Sequence, residues 1–143
     1  MKLIMFILIC FRFEALNSMQ QVRLQYWYPT STSLYQDNGI QYIDRGLTYP
    51  SAHHFSMAVT ANDLTVTMLD GATWTDSAFN GWTLTDVTGG LDFSDARILQ
   101  SSGSTSLIRL TSTTNKISVN WGGDQFFAND VLVIGFGSGN VSE

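Results

Sequence analysis

Apolar and polar positions alternate along most of this chain in short runs bounded by turn residues, the period-two signature of half-buried strands. Val22-Arg23-Leu24-Gln25-Tyr26-Trp27-Tyr28 alternates up to Pro29. Asp37-Asn38-Gly39 reads as a turn, followed by Ile40-Gln41-Tyr42-Ile43. Leu64-Thr65-Val66-Thr67-Met68 places apolar residues on one face and threonines on the other, and Asp70-Gly71 is expected to close a hairpin by type I′ chemistry. Trp82-Thr83-Leu84-Thr85 alternates again, and runs at 96–99, 106–110 and 117–121 follow between Gly, Ser, Thr and Asn clusters. The last run, Val131 to Phe136, is continuously apolar, as suits a strand buried on both faces or at the centre of a sandwich. Sustained helical periodicity is lacking from residue 20 onward. Small helical turns are expected near 51–55, 76–79 and 125–129. About eight to ten short strands spaced some ten residues apart predict an all-β fold, an antiparallel β-sandwich of jelly-roll-like form. A closed barrel fits the same spacing.

Length sets the domain count. The 143 residues make one domain, and 44% hydrophobic content is enough for a real core. Charged residues are only 13%, and the net charge is −5. Lys2 and Lys116 are the only lysines, which argues against a nucleic-acid partner, since that needs a basic stripe to displace phosphate counterions. Serine and threonine, 15 of each, make the surface rich in hydroxyls.

Residues 1–18 stand apart. Lys2 precedes the apolar run Leu3 to Phe11, which is the layout of a short signal peptide and too short for a helical membrane span. A mis-called start, with Met19 opening the domain, is the second reading, and a buried segment of the fold is the third. In each, the functional body is 19–143. Cys10 is the only cysteine, so stability must come from packing rather than from an intrachain disulfide. An acidic, cysteine-free, Ser/Thr/Asn-rich body suits secretion or the cell surface. Asn140-Val141-Ser142 fits a glycosylation sequon.

Three stretches carry a resemblance. Gly46-Leu47-Thr48-Tyr49-Pro50, Phe79-Asn80-Gly81-Trp82-Thr83-Leu84-Thr85-Asp86 and Ile117-Ser118-Val119-Asn120-Trp121-Gly122-Gly123 resemble small β-sandwich modules of secreted bacterial surface proteins, including some with PEP-CTERM sorting tails. The resemblance spans roughly 35–136, and residues 137–143 carry no PEP-CTERM motif. It implies an extracellular all-β module and transfers no catalytic residue.

Catalytic signatures are sparse. The two histidines, His53 and His54, are adjacent and would point to opposite faces of a strand. No G-x-S-x-G elbow occurs. The only glutamates, Glu14 and Glu143, lie at the ends, so a glycosidase-type pair would have to be two aspartates. The single cysteine leaves no zinc spacing.

Calcium takes hard oxygen ligands from Asp- and Asn-rich loops. Asp86, Asp92 and Asp95 flank one glycine turn and form the first candidate cradle for a structural calcium; Asp124, Asn129 and Asp130 form a second group. The same residues are ordinary turn formers.

Aromatics supply the remaining candidate chemistry. An exposed Trp or Tyr offers a platform to the apolar face of a sugar ring, while Asp and Asn bond its hydroxyls. Trp74, with Asp76, lies in a polar loop-like segment, and Trp121 ends a strand between Asn120 and Asp124. Trp82 continues the apolar set of Leu84 and belongs to the core. These residues make Trp74, Asp76, Asn120, Trp121 and Asp124 the candidate ligand site. Residues 107–132 hold only Arg109 and Lys116 as cations, so an exposed edge there would be sticky. The expected function is non-catalytic: an extracellular or surface module for adhesion or structural assembly on a surface protein partner. Carbohydrate binding is the alternative reading, and a small Asp-based hydrolase the third.

Overall fold

A computed structural model describes residues 20–45, 47–48, 54–102 and 107–137. Twelve strands appear among them: β1 (Gln21–Trp27), β2 (Leu34–Tyr42), β3 (Leu47–Thr48), β4 (Phe55–Val59), β5 (Asp63–Met68), β6 (Ala72–Thr73), β7 (Gly81–Asp86), β8 (Arg97–Ser101), β9 (Arg109–Thr113), β10 (Lys116–Asn120), β11 (Gln125–Phe126) and β12 (Val131–Gly135). One sheet has the order β2-β1-β7-β10-β9 and the other β3-β4-β5-β12-β8, with β6 and β11 forming a two-stranded ribbon. Every pairing is antiparallel. The all-β sandwich expected from the sequence is the fold observed.

Alternation decides which side chains meet. The first sheet turns Val22, Leu24 and Tyr26 of β1, Trp82 and Leu84 of β7, and Ile117 and Val119 of β10 inward. Phe55, Met57 and Val59 of β4, Leu64, Val66 and Met68 of β5, and Leu132 and Ile134 of β12 close over them. All belong to one core cluster. Burying a side chain of this size is worth about 1.5–3 kcal/mol, so the layer as a whole opposes the entropy of ordering the chain. The opposite face of the first sheet is hydroxyl-rich: Arg23, Thr85, Lys116 and Thr113 share one cross-strand row, and Gln25, Thr83, Ser118 and Thr111 the next.

Several local expectations differ from the fold. Asp37-Asn38-Gly39 does not reverse the chain. β2 runs through it as a bulge, with Asn38 and Gly39 opposite Leu24, because Arg23 pairs with Ile40 and Gln25 with Asp37. Gly39 has φ +71°, and its N–H donates to Asp37 Oδ1 at 2.8 Å, so the positive-φ preference of the tripeptide is spent on the bulge. The reversal lies upstream, where the Tyr28 N–H donates to the Ser33 carbonyl at 3.0 Å. Asp70-Gly71 closes no hairpin either. Both edges of β5 are taken, by β4 and β12, so the chain crosses over and β6 pairs with β11.

Among the described residues, the one short helical turn is a 3₁₀ turn at Ile43–Arg45. Neither 76–79 nor 125–129 is helical, and 51–53 lie outside the described residues. The run at 106–110 begins its strand later, at Arg109. Residues 1–19, with the leader and Cys10, also lie outside the described residues.

Candidate binding cleft

Tyr26, Tyr28, Tyr35, His54, Thr73, Trp74, Thr75 and Asn80 line an open cleft of about 280 Å³. It forms where the end of β1, the start of β2, the residue before β4, β6 and the approach to β7 meet. Backbone bonds place its parts. The Trp74 N–H donates to the Asp124 carbonyl at 2.9 Å, and the Gly123 N–H donates to the Trp74 carbonyl at 2.8 Å, so the 121–124 turn clamps β6. The Phe79 N–H reaches the Pro29 carbonyl at 2.9 Å, across the cis Tyr28–Pro29 turn.

The floor is aromatic. Trp74 stacks on Trp121 with ring centroids 4.8 Å apart and an interplanar angle of 19°. Tyr26 lies 5.8 Å from Trp74. Tyr35 meets Tyr26 and Tyr28 edge-to-face, each at 6.3 Å. His54 stands at 88° to Trp74 at 5.8 Å. Its Nδ1 lies 2.7 Å from Asp70 Oδ1. A carboxylate only accepts, so Nδ1 carries the proton and Nε2 is the ring's free polar atom.

Behind the rings runs a chain of buried hydrogen bonds. Trp121 Nε1 donates to the Tyr26 hydroxyl at 2.7 Å, and that hydroxyl donates to Asn80 Oδ1 at 2.8 Å. Asn80 Nδ2 donates to the Thr75 carbonyl at 3.0 Å. Asn120 Oδ1 accepts the N–H groups of Asn80 and Gly122, each at 3.1 Å, and its Nδ2 donates to the Ala78 carbonyl at 3.2 Å. Two side-chain amides therefore hold the 74–80 segment in place of a regular ladder.

The five ligand-site candidates separate accordingly. Trp74 lines the cleft and is half-buried. Asp76 is exposed beside Gly123, outside the lining. Trp121, at 0% exposure, offers no face to solvent; the double-glycine turn that made it look loop-like folds it into the core. Asn120 is buried, and its amide is committed to the 74–80 segment. Asp124 is 1% exposed, and among the described residues neither carboxylate oxygen has a hydrogen-bond partner of good geometry. Burial, the largest cause, pushes its carboxyl above the ordinary range, while the nearby Leu107 N–H and Arg109 pull the other way. Trp74 Nε1 is likewise buried without a partner.

The three calcium candidates do not converge. Asp86 is buried and accepts the Leu91 N–H at 2.9 Å and the Thr88 hydroxyl at 3.3 Å. Asp92 accepts the Ser94 hydroxyl at 2.7 Å and N–H at 3.0 Å, which hold its carboxyl below the usual range. Asp95 accepts the Gly137 N–H at 2.8 Å and lies 3.6 Å from Arg97. Each follows ordinary turn chemistry, and no group of three or more metal-ligating side chains occurs among the described residues. In the second group, Asp130 accepts the Phe127 N–H at 2.8 Å. No helix among the described residues is long and apolar enough to cross a membrane.

Sequence reasoning missed Tyr28, Tyr35 and His54. The usable signal was the aromatic pair Tyr26 and Tyr28 at i and i+2 just before Pro29, with Tyr35 just after the reversal. Comparison with family models, curated proteins and solved structures finds no match to this chain.

Proposed function

We propose that this β-sandwich is a non-catalytic binding module of an extracellular or surface protein, and that its aromatic cleft adheres to carbohydrate. The observation that carries this reading is Trp74, buttressed by Trp121 and rimmed by Tyr28, Tyr35, His54, Thr73 and Thr75. A rigid indole matches the apolar face of a sugar ring, and the rim supplies hydroxyls and an imidazole for its edge. The acidic, hydroxyl-rich composition and the apolar run after Lys2 support the location. A glycan array probed with the full chain tests the reading. Binding to one sugar class, lost in Trp74→Ala and in Tyr35→Ala, is the expected result. A blank array from a folded sample removes the glycan.

A second observation favours assembly. β2 is a nine-residue edge strand with Leu34, Tyr35, Ile40 and Tyr42 all exposed. Its one charged residue, Asp37, is paired with Arg23 on the neighbouring strand, so no free charge along β2 discourages edge pairing. Light scattering across a concentration series, with Ile40→Lys as the disrupting change, tests whether this edge meets a protein surface.

A further inference from the structure

The ligand class follows from the size, sidedness and charge of the cleft, taking the glycan reading as its basis. We propose that the cleft accepts one uncharged pyranose ring at a time, stacked on Trp74 and bonded at its edge by Tyr28, Tyr35 and His54.

Size comes first. At about 280 Å³ the cleft lies at or below the small end of ligand sites, which run from about 300 to 1,000 Å³. That space suits one ring, and further rings of a longer saccharide would lie outside it. Sidedness agrees. Trp121 covers one face of the Trp74 indole, so that face is closed to a sugar.

Charge sets the class. The lining contains no lysine or arginine. Its polar groups are tyrosine and threonine hydroxyls, an asparagine amide and the His54 imidazole. The Asp70 carboxylate sits 2.7 Å from His54 Nδ1, and the chain carries a net charge of −5. A carboxylate or sulfate on the ring would enter this field with no cation to meet it, because even a protonated His54 shares its charge with Asp70. An organic cation is the other ligand aromatic rings attract. Here the lining holds no carboxylate to meet its charge, and Asp70 is committed to His54.

The test is calorimetric titration of the full chain with methyl hexopyranosides, the matching methyl uronides, oligosaccharides of increasing length, and choline. One neutral pyranoside should bind, and its uronide should bind at least about tenfold more weakly. Longer oligosaccharides should stay within about threefold of the single ring. Tyr35→Ala should lose most of the affinity with an unchanged melting temperature, since that side chain is 65% exposed. A uronide that binds as well as the neutral ring overturns this inference and leaves the glycan reading standing. An affinity that climbs about tenfold with chain length does the same. Choline binding without sugar binding, or no binding of any saccharide, overturns both.

Discussion

Trp121 Nε1 donates to the Tyr26 hydroxyl at 2.7 Å, joining residues 95 positions apart at the back of the cleft. The same hydroxyl donates to Asn80, so one oxygen satisfies a buried indole and a buried amide. Tyr26→Phe keeps the ring and orphans both partners. Leaving a buried polar group unpaired costs about 1–3 kcal/mol. Denaturant unfolding should show a loss in that range with the slope unchanged. A neutral result would mean the two groups find other partners.

Gly81 admits no side chain. A Cβ there would sit 1.8 Å from the Val119 carbonyl oxygen, a backbone atom of the adjacent strand. Gly81→Ala must push β7 and β10 apart beneath Trp82. Overpacking of this kind costs about 1–3 kcal/mol or more. Thermal unfolding of the variant measures it, and a melting temperature equal to that of the parent chain would sink the claim.

Asp124 makes stability depend on pH. Its carboxyl titrates higher in the fold than in the unfolded chain, because burial disfavours the charge. The folded state therefore holds the proton more tightly. Its contribution is fully present below the unfolded value, about 3.9, and is lost as pH rises through the raised value. Asp124→Asn removes the titration. The variant should melt higher than the parent chain at pH 7, with the gap closing as pH falls toward 4. A gap independent of pH would exclude the carboxyl as its source.

Asp37 runs the opposite way. The Arg23 guanidinium, with Nε 3.1 Å and 3.2 Å from the two oxygens, holds its carboxyl down at about 2, helped by the Gly39 N–H and Gln25. Here the folded state binds the proton less tightly. The contribution is present above about 3.9 and is lost as pH falls toward 2. The pair is exposed, so the effect is small. Asp37→Asn should lower stability modestly at pH 5 to 7 and make no difference near pH 2, as read from urea midpoints at each pH.

Strand existence was legible where one face is wet and one dry. β1, β7 and β10 alternate because they are half-buried, and Trp82 was assigned to the core from its register with Leu84. Strand partners were not legible. Asp70-Gly71 carries the residues of a tight turn, yet β5 already has neighbours on both edges. Trp121 misled for a related reason: Gly122, Gly123 and Asp124 look like a solvent loop in sequence, but the Asp124 N–H folds back onto the Trp121 carbonyl at 3.0 Å and turns the indole inward. Of the cleft, Trp74 was visible from its own neighbours. Tyr35 and His54 reach it only through the chain reversal and the second sheet, which no local pattern reports.

The asparagine pins carry a chemical consequence. Asn80 is followed by Gly81, the pairing in which a flexible chain most readily loses its side-chain amide, through attack by the next backbone nitrogen. In the fold that amide bonds to Thr75, and Gly81 lies in register between Trp27 and Asn120, so the nitrogen cannot swing onto it. Protection exists only while the sandwich is closed. Each opening exposes Asn80 to deamidation, and the aspartate or isoaspartate produced would carry a charge into a buried position, so molecules that open too often age irreversibly instead of refolding.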